Sequence, residues 1–192
     1  MLCQMIQNRV IKIALKISKL ILGICVLAGV AFVGFVIHWH MSPKSYEAVE
    51  VSQVFKPGFG VNGFHWVLGK KASAQGLWLS DLSPLMIYWL LLRGLIFIVL
   101  SFLITQAFQR ILVSIHSIET FHQNNVKQFK IIAQYGLIAF FFSFFNFSYI
   151  QGEFDINFHL ATAPLLLTIS SYVLAEVFRE GNKLSEDQKL MI

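Results

Sequence analysis

Apolar residues in this chain gather in four long stretches. Leu20 to Ile37 runs for 18 residues without a charge, and Leu85 to Phe108 for 24 residues broken only by Arg93. Ile131 to Ile150 and Ile156 to Ala175 each run for 20 residues without Asp, Glu, Lys or Arg. A helix rises about 1.5 Å per residue and a bilayer core is about 30 Å thick, so each stretch is long enough to cross it. The pattern predicts an all-α membrane protein with four transmembrane helices near residues 12–38, 84–112, 129–150 and 157–180. Pro164 falls inside the fourth stretch, where it predicts a local bend. The first helix is expected to begin in the membrane interface, because Arg9, Lys12, Lys16 and Lys19 share one helical face opposite Ile6, Val10, Ile13 and Ile17. Val26-Leu27-Ala28 could serve as a processing site, yet nine apolar residues follow it, which predicts an uncleaved anchor.

The polar stretches supply the connections. Residues 1–192 are expected to form a single membrane domain, with a loop of roughly 47 residues (38–84) outside the cytoplasm, a cytoplasmic loop (110–130) and a cytoplasmic helical tail (176–192). In the large loop Val49 and Val51 alternate with polar residues ahead of Pro57-Gly58, a pattern compatible with a small β-hairpin. Trp39, Trp66, Trp78 and Trp89 fall in or near this half and suit an interfacial aromatic belt. Ile111, Leu112, Ile115 and Ile118 make one stripe, which extends the second helix as an amphipathic segment. In the tail Glu176, Arg179, Glu180 and Lys183 alternate in sign at helical spacing.

Composition supports the membrane class. Hydrophobic residues make up 56% of the 192 and charged residues 13%, and the mean hydropathy is +0.66. A soluble domain carries about a quarter charged residues. The excess of basic residues (net charge +5, pI near 9.3) flanks the apolar stretches, so topology explains it better than nucleic-acid binding. With the N-terminus inside, ten Lys and Arg lie in cytoplasmic segments and only Lys44, Lys56, Lys70 and Lys71 in outer ones. That bias places both termini in the cytoplasm.

Candidate chemistry is sparse. Cys3 and Cys25 cannot form a disulfide across an outer loop. His38, His40, His65, Glu153, Asp155 and His159 all fall on the expected outer side, but their spacing matches no metal-enzyme motif. No nucleophile with a positioned base and no His-Glu-x-x-His is present. The expectation is therefore a non-enzymatic protein with no catalytic residues, no cofactor and no metal. Arg93 is the outlier, since a cation at membrane depth is expensive. It is expected either to extend to the interface or to be anchored by a polar group, with Asn146 the preferred partner.

Two segments resemble a family. The C-terminus, Leu174-Ala175-Glu176-Val177-Phe178-Arg179-Glu180-Gly181-Asn182-Lys183-Leu184-Ser185-Glu186-Asp187-Gln188-Lys189-Leu190-Met191-Ile192, is similar to the ending of bacterial integral membrane proteins grouped as domain of unknown function 2975. Met191, Gln188 and Lys189 depart from that ending. Phe121-x-x-x-Asn125-Val126-Lys127 is similar to the family's lead-in to the third span. The resemblance implies the bacterial inner membrane and a regulatory or sensory association, and it supplies no catalytic residue. Phe121, Asn125, Lys127, Glu176, Arg179 and Glu186 are expected to form a cytoplasmic interaction surface, with the inner loop and the tail side by side. Expected partners are the lipid bilayer and a protein partner or a second copy, with no direct contact to nucleic acid. The function expected is an interaction, regulatory or sensory membrane protein; the alternative is a small oligomeric transporter or a ligand- or metal-handling protein.

Overall fold

The computed structural model describes residues 2–42, 45, 60–68, 83–116, 123–150 and 153–190. Four helices dominate: α1 (Leu2–Met41), α2 (Pro84–His116), α3 (Gln123–Phe144) and α4 (Thr162–Leu190). Three strands accompany them: β1 (Gly60–Leu68), β2 (Phe145–Ile150) and β3 (Glu153–Ala161). Two of the helices contain segments long and apolar enough to cross a membrane, Arg9–Met41 of α1 and Pro84–Ile115 of α2.

Local chemistry explains where α2 begins. Pro84 stands at its first position, where a missing N–H costs nothing. Ser83 caps it: its hydroxyl accepts from the Met86 N–H at 3.3 Å and its carbonyl from the Ile87 N–H at 3.2 Å. Pro164 plays a related part in α4. It lies in the first turn, so the bend expected within a longer helix is not needed.

The third and fourth helices are shorter on one side than the uncharged stretches imply. Residues 145–150 and 153–161 pair as antiparallel strands rather than extending α3 and α4. The reason is the side-chain period. Phe145, Phe147 and Tyr149 alternate with Asn146 and Ser148, and Phe154, Ile156, Phe158 and Leu160 alternate with Asp155, Asn157 and His159. A two-residue alternation sorts cleanly onto the faces of a strand and is scattered around a helix. The third strand comes from the large loop. β1 pairs with β3, giving the order β1-β3-β2, and its register shifts between Asn62 and His65. The backbone register pairs Asn62 with His159, His65 and Asn146 with Asn157, and Ser148 with Asp155. The hairpin expected around Pro57-Gly58 lies outside the described residues, apart from Gly60 and Val61 at the start of β1.

The chain divides into two compact units. One comprises Met1–Leu27, Val99–Ile138 and Pro164–Ile192. Its core is Ala107, Ile111, Val126, Phe129, Ile132 and Ala175, with Ile104, Ile115, Ile131 and Phe178 packed against it. The other comprises Ala28–Ile98 and Ala139–Ala163. Here Met86 and Ile87 are buried among Trp39, Trp89, Leu90 and Leu91, and Trp39 meets Tyr88 edge to face at 6.2 Å. Aromatic contacts join the end of α3 to the sheet in this unit, with Phe144 at 5.5 Å and Phe145 at 5.6 Å from Phe158.

Small residues allow a close helix contact in the first unit. Ala133 is fully buried, and a Cβ at Gly136 would stand 2.7 Å from Thr168 Oγ1 and 3.5 Å from the Thr168 backbone nitrogen. Thr168 is held there because its hydroxyl donates to the Pro164 carbonyl at 2.8 Å. Gly136→Ala should therefore lower stability by about 1–3 kcal/mol, and Thr168→Ala should recover part of that loss. Gly23→Ala, which meets nothing within 4 Å, should be neutral or stabilising by ~0.5–1 kcal/mol. Thermal unfolding in detergent would contradict this packing if both alanines behaved alike.

Candidate functional site

The first turns of α3 carry polar residues at helical spacing: Gln123, Lys127 and Lys130 stand four and three residues apart. Such residues share one face, whereas Val126, Phe129 and Ile132 are buried in the core. On α4, Ala175, Arg179 and Asn182 follow one another at i, i+4 and i+7 along one face, Ala175 buried in the core and the two polar residues further along the helix. Phe129 and Phe178 fasten the two helices behind these faces, with ring centroids 5.0 Å apart. The result is a cavity of about 520 Å³ lined by Gln123, Asn124, Val126, Lys127, Lys130, Arg179 and Asn182.

Three cations and three amides thus face one concavity. Asn125 is completely buried beside it, and Gln128 is 4% exposed with Nε2 3.5 Å from Asn124 Oδ1. Carboxylates attend its α4 wall. The Arg179 guanidinium donates to Glu176 and lies 3.7 Å from Glu180 Oε1, and Asn182 Nδ2 donates to Glu186 Oε1 at 3.1 Å. These pairs are exposed and contribute little to stability. Their effect is geometric, since they fix Arg179 and Asn182 at the rim while Lys127 and Lys130 stay open to an incoming anion. Charge-assisted hydrogen bonding to carboxylate or phosphate oxygens is the chemistry available here.

Of the surface expected from sequence, the structure brings Lys127 and Arg179 to one cavity, with Glu176 and Glu186 on the residues that line it, whereas Asn125 is completely buried, because it falls on the helix face of Phe129 and Ile132 that packs into the core. Phe121 lies outside the described residues. Gln123, Asn124, Lys130 and Asn182 were not singled out by the sequence, although the spacing of Gln123 and Lys130 from Lys127 on one face was a readable signal.

A second cavity of the same unit differs in character. It measures about 420 Å³ and has walls of Ile, Leu and Phe with a few hydroxyls, those of Ser18, Thr105, Ser170 and Ser171. Among the described residues no three His, Cys, Asp or Glu side chains come together as a metal site.

Arg93 belongs to the other unit. Its guanidinium carbon lies 5.8 Å from the ring centroid of Phe97, one turn along α2. Asn146, its expected partner, stands on β2 opposite Asn157. The aromatic face gives Arg93 a cation–π contact. A double-mutant cycle of Arg93→Leu and Phe97→Leu should show a coupling of about 0.5–1 kcal/mol in detergent unfolding. Strict additivity would remove the contact from the account.

The family whose description reads "protein of unknown function (DUF2975)" matches residues 44–192. No curated protein matches the chain, and no solved structure does.

Proposed function

The chain belongs to that family, whose description assigns no activity, and we propose that it is a non-enzymatic integral membrane protein that acts through a docking surface at the cytoplasmic ends of α3 and α4. In this reading all four helices cross the bacterial cytoplasmic membrane and both termini are cytoplasmic. The two most apolar helices support it, because they turn large side chains outward: Leu20, Leu27, Val30 and Leu85 are each more than 60% exposed. In water such surfaces would aggregate, whereas lipid solvates them. α3 and α4 have uncharged segments of only 14 residues, 131–144 and 162–175. At about 21 Å each, they cross with help from Lys127 and Lys130, which snorkel at one end, and from the aromatic cluster at the other. The ten-to-four bias of Lys and Arg sets the direction.

The observation that carries the docking role is the basic, amide-rich cavity built from the start of α3 and the tail of α4. Among the described residues it combines binding groups for an acidic segment with no paired nucleophile and base in its lining, which suits recognition. An interaction, regulatory or sensory role follows, with an acidic region of a protein partner as the recognised group. A small transporter or ligand-handling protein is the second reading, favoured by the apolar cavity with hydroxyls in its wall.

The test is recovery of a stoichiometric partner from mild detergent. Arg179→Gln combined with Asn182→Ala should leave insertion and unfolding temperature unchanged while cutting recovery at least tenfold, and deleting Gly181 to Ile192 should do the same. Undiminished recovery with both variants would rule out this surface.

A further inference from the structure

Ser18 is the oddest buried group in the first unit. It is 3% exposed, lines the 420 Å³ apolar cavity, and its Oγ has no hydrogen-bond partner among the described residues. Hydroxyls in helices ordinarily donate to the carbonyl one turn back. Thr105 does so to Ser101 and Thr168 to Pro164, each at 2.8 Å. Ser18 forgoes that bond and leaves a donor at a cavity wall, a costly arrangement unless something in the cavity accepts from it.

The cavity is graded along the helices. Ser18 lies between Lys16 and Lys19, at the edge of the uncharged stretch of α1. Phe108 and Phe129 hold the same boundary positions, just before Arg110 and Lys130. Ile21, Ile104, Ile132 and Leu167 line the cavity from deeper in the uncharged segments. The occupant must therefore be apolar along most of its length and carry an oxygen acceptor at the charged boundary. Water fits poorly along the part of the cavity lined by Ile21, Ile104, Ile132 and Leu167, because a buried water needs two to four polar partners.

We infer that this cavity holds one acyl chain of an anionic phospholipid from the cytoplasmic leaflet, with the Ser18 hydroxyl donating to the chain's ester carbonyl. The cavity volume lies in the range of small-molecule pockets. Lys16, Lys19, Arg110 and Lys130 stand at the depth of the headgroup, which complements its negative charge. The inference rests on the membrane reading, and it gives the ligand-handling alternative a specific content: the ligand is a structural or sensed lipid.

Native mass spectrometry of the full chain, released from nanodiscs of phosphatidylglycerol or of phosphatidylcholine, tests it. Wild type should retain one phosphatidylglycerol per protomer and prefer it to phosphatidylcholine. Ser18→Ala should weaken retention about fivefold, the effect of one lost hydrogen bond. Ser171→Phe, which fills the cavity, should abolish retention; Ala14→Phe is the second filling variant, should the first fail to fold. Alkaline carbonate extraction of the same membranes reports separately on integration. A chain released by carbonate would defeat the membrane reading. A chain that stays integrated but retains no lipid, or retains it equally with the cavity filled, or appears as a lipid-free dimer, would overturn the inference alone.

Discussion

The fold depends on a reversed distribution of side chains. Leu27 and Val30 of α1 are 70% and 68% exposed, and no large apolar residue in its last thirty positions is fully buried. Beside large residues such as Ile111, Phe129 and Ile132, the interior holds Ala107, Ala133, Ala139, Ala161 and Ala175 and the polar Ser18, Asn125, Gln128, Thr168 and Ser171. In water that arrangement would forfeit roughly 25 cal/mol for every Å² of apolar surface left outside. In a bilayer it is the expected one, because lipid offers helices no hydrophobic reason to associate, and contact is made by small residues and polar groups. The Gly136–Thr168 approach is an instance of the first device.

The same constraint decides which parts need not be helical. Unpaired backbone groups are intolerable in hydrocarbon, so a helix is obligatory only within it. From Phe145 onward the chain alternates apolar and polar residues, and it forms a hairpin whose β3 strand also pairs with a segment of the large loop. The absence of charge in Ile131–Ile150 and Ile156–Ala175 conceals this change, because length and charge report solubility while period reports conformation. α1 and α2 were legible for the opposite reason: their long apolar runs, the second broken only by Arg93, carry no two-residue alternation. The pairing with β1 was not legible at all, since nothing local to residues 60–68 names a strand some ninety positions away.

The basic cavity was half legible. Lys127 and Arg179 stood out through their place in the family-like segments, and the alternation of charge around Arg179 foretold its pairing with Glu176. What sequence does not contain is the distance between two segments separated by about fifty residues. That distance is fixed by Phe129 on Phe178 and by Ala175 in the core, which bring Lys130 and Asn182 to the same concavity. Asn146 shows the converse case. The uncharged run predicts a helix through residue 150, whereas Asn146 stands on β2 in register with Asn157 of β3, and Arg93 lies over Phe97 within its own helix.

We propose four crossings with the α3–α4 cavity in the cytoplasm and the sheet outside, and sidedness labelling tests that proposal most directly. Single cysteines replacing Gln53, Asn124, Glu153 and Glu186, in a background with Cys3 and Cys25 changed to serine, would be exposed to a membrane-impermeant maleimide on intact cells. Positions 53 and 153 should label at once, and 124 and 186 only after the membrane is permeabilised. Labelling of 124 or 186 on intact cells, or protection of 53 and 153, would contradict the account.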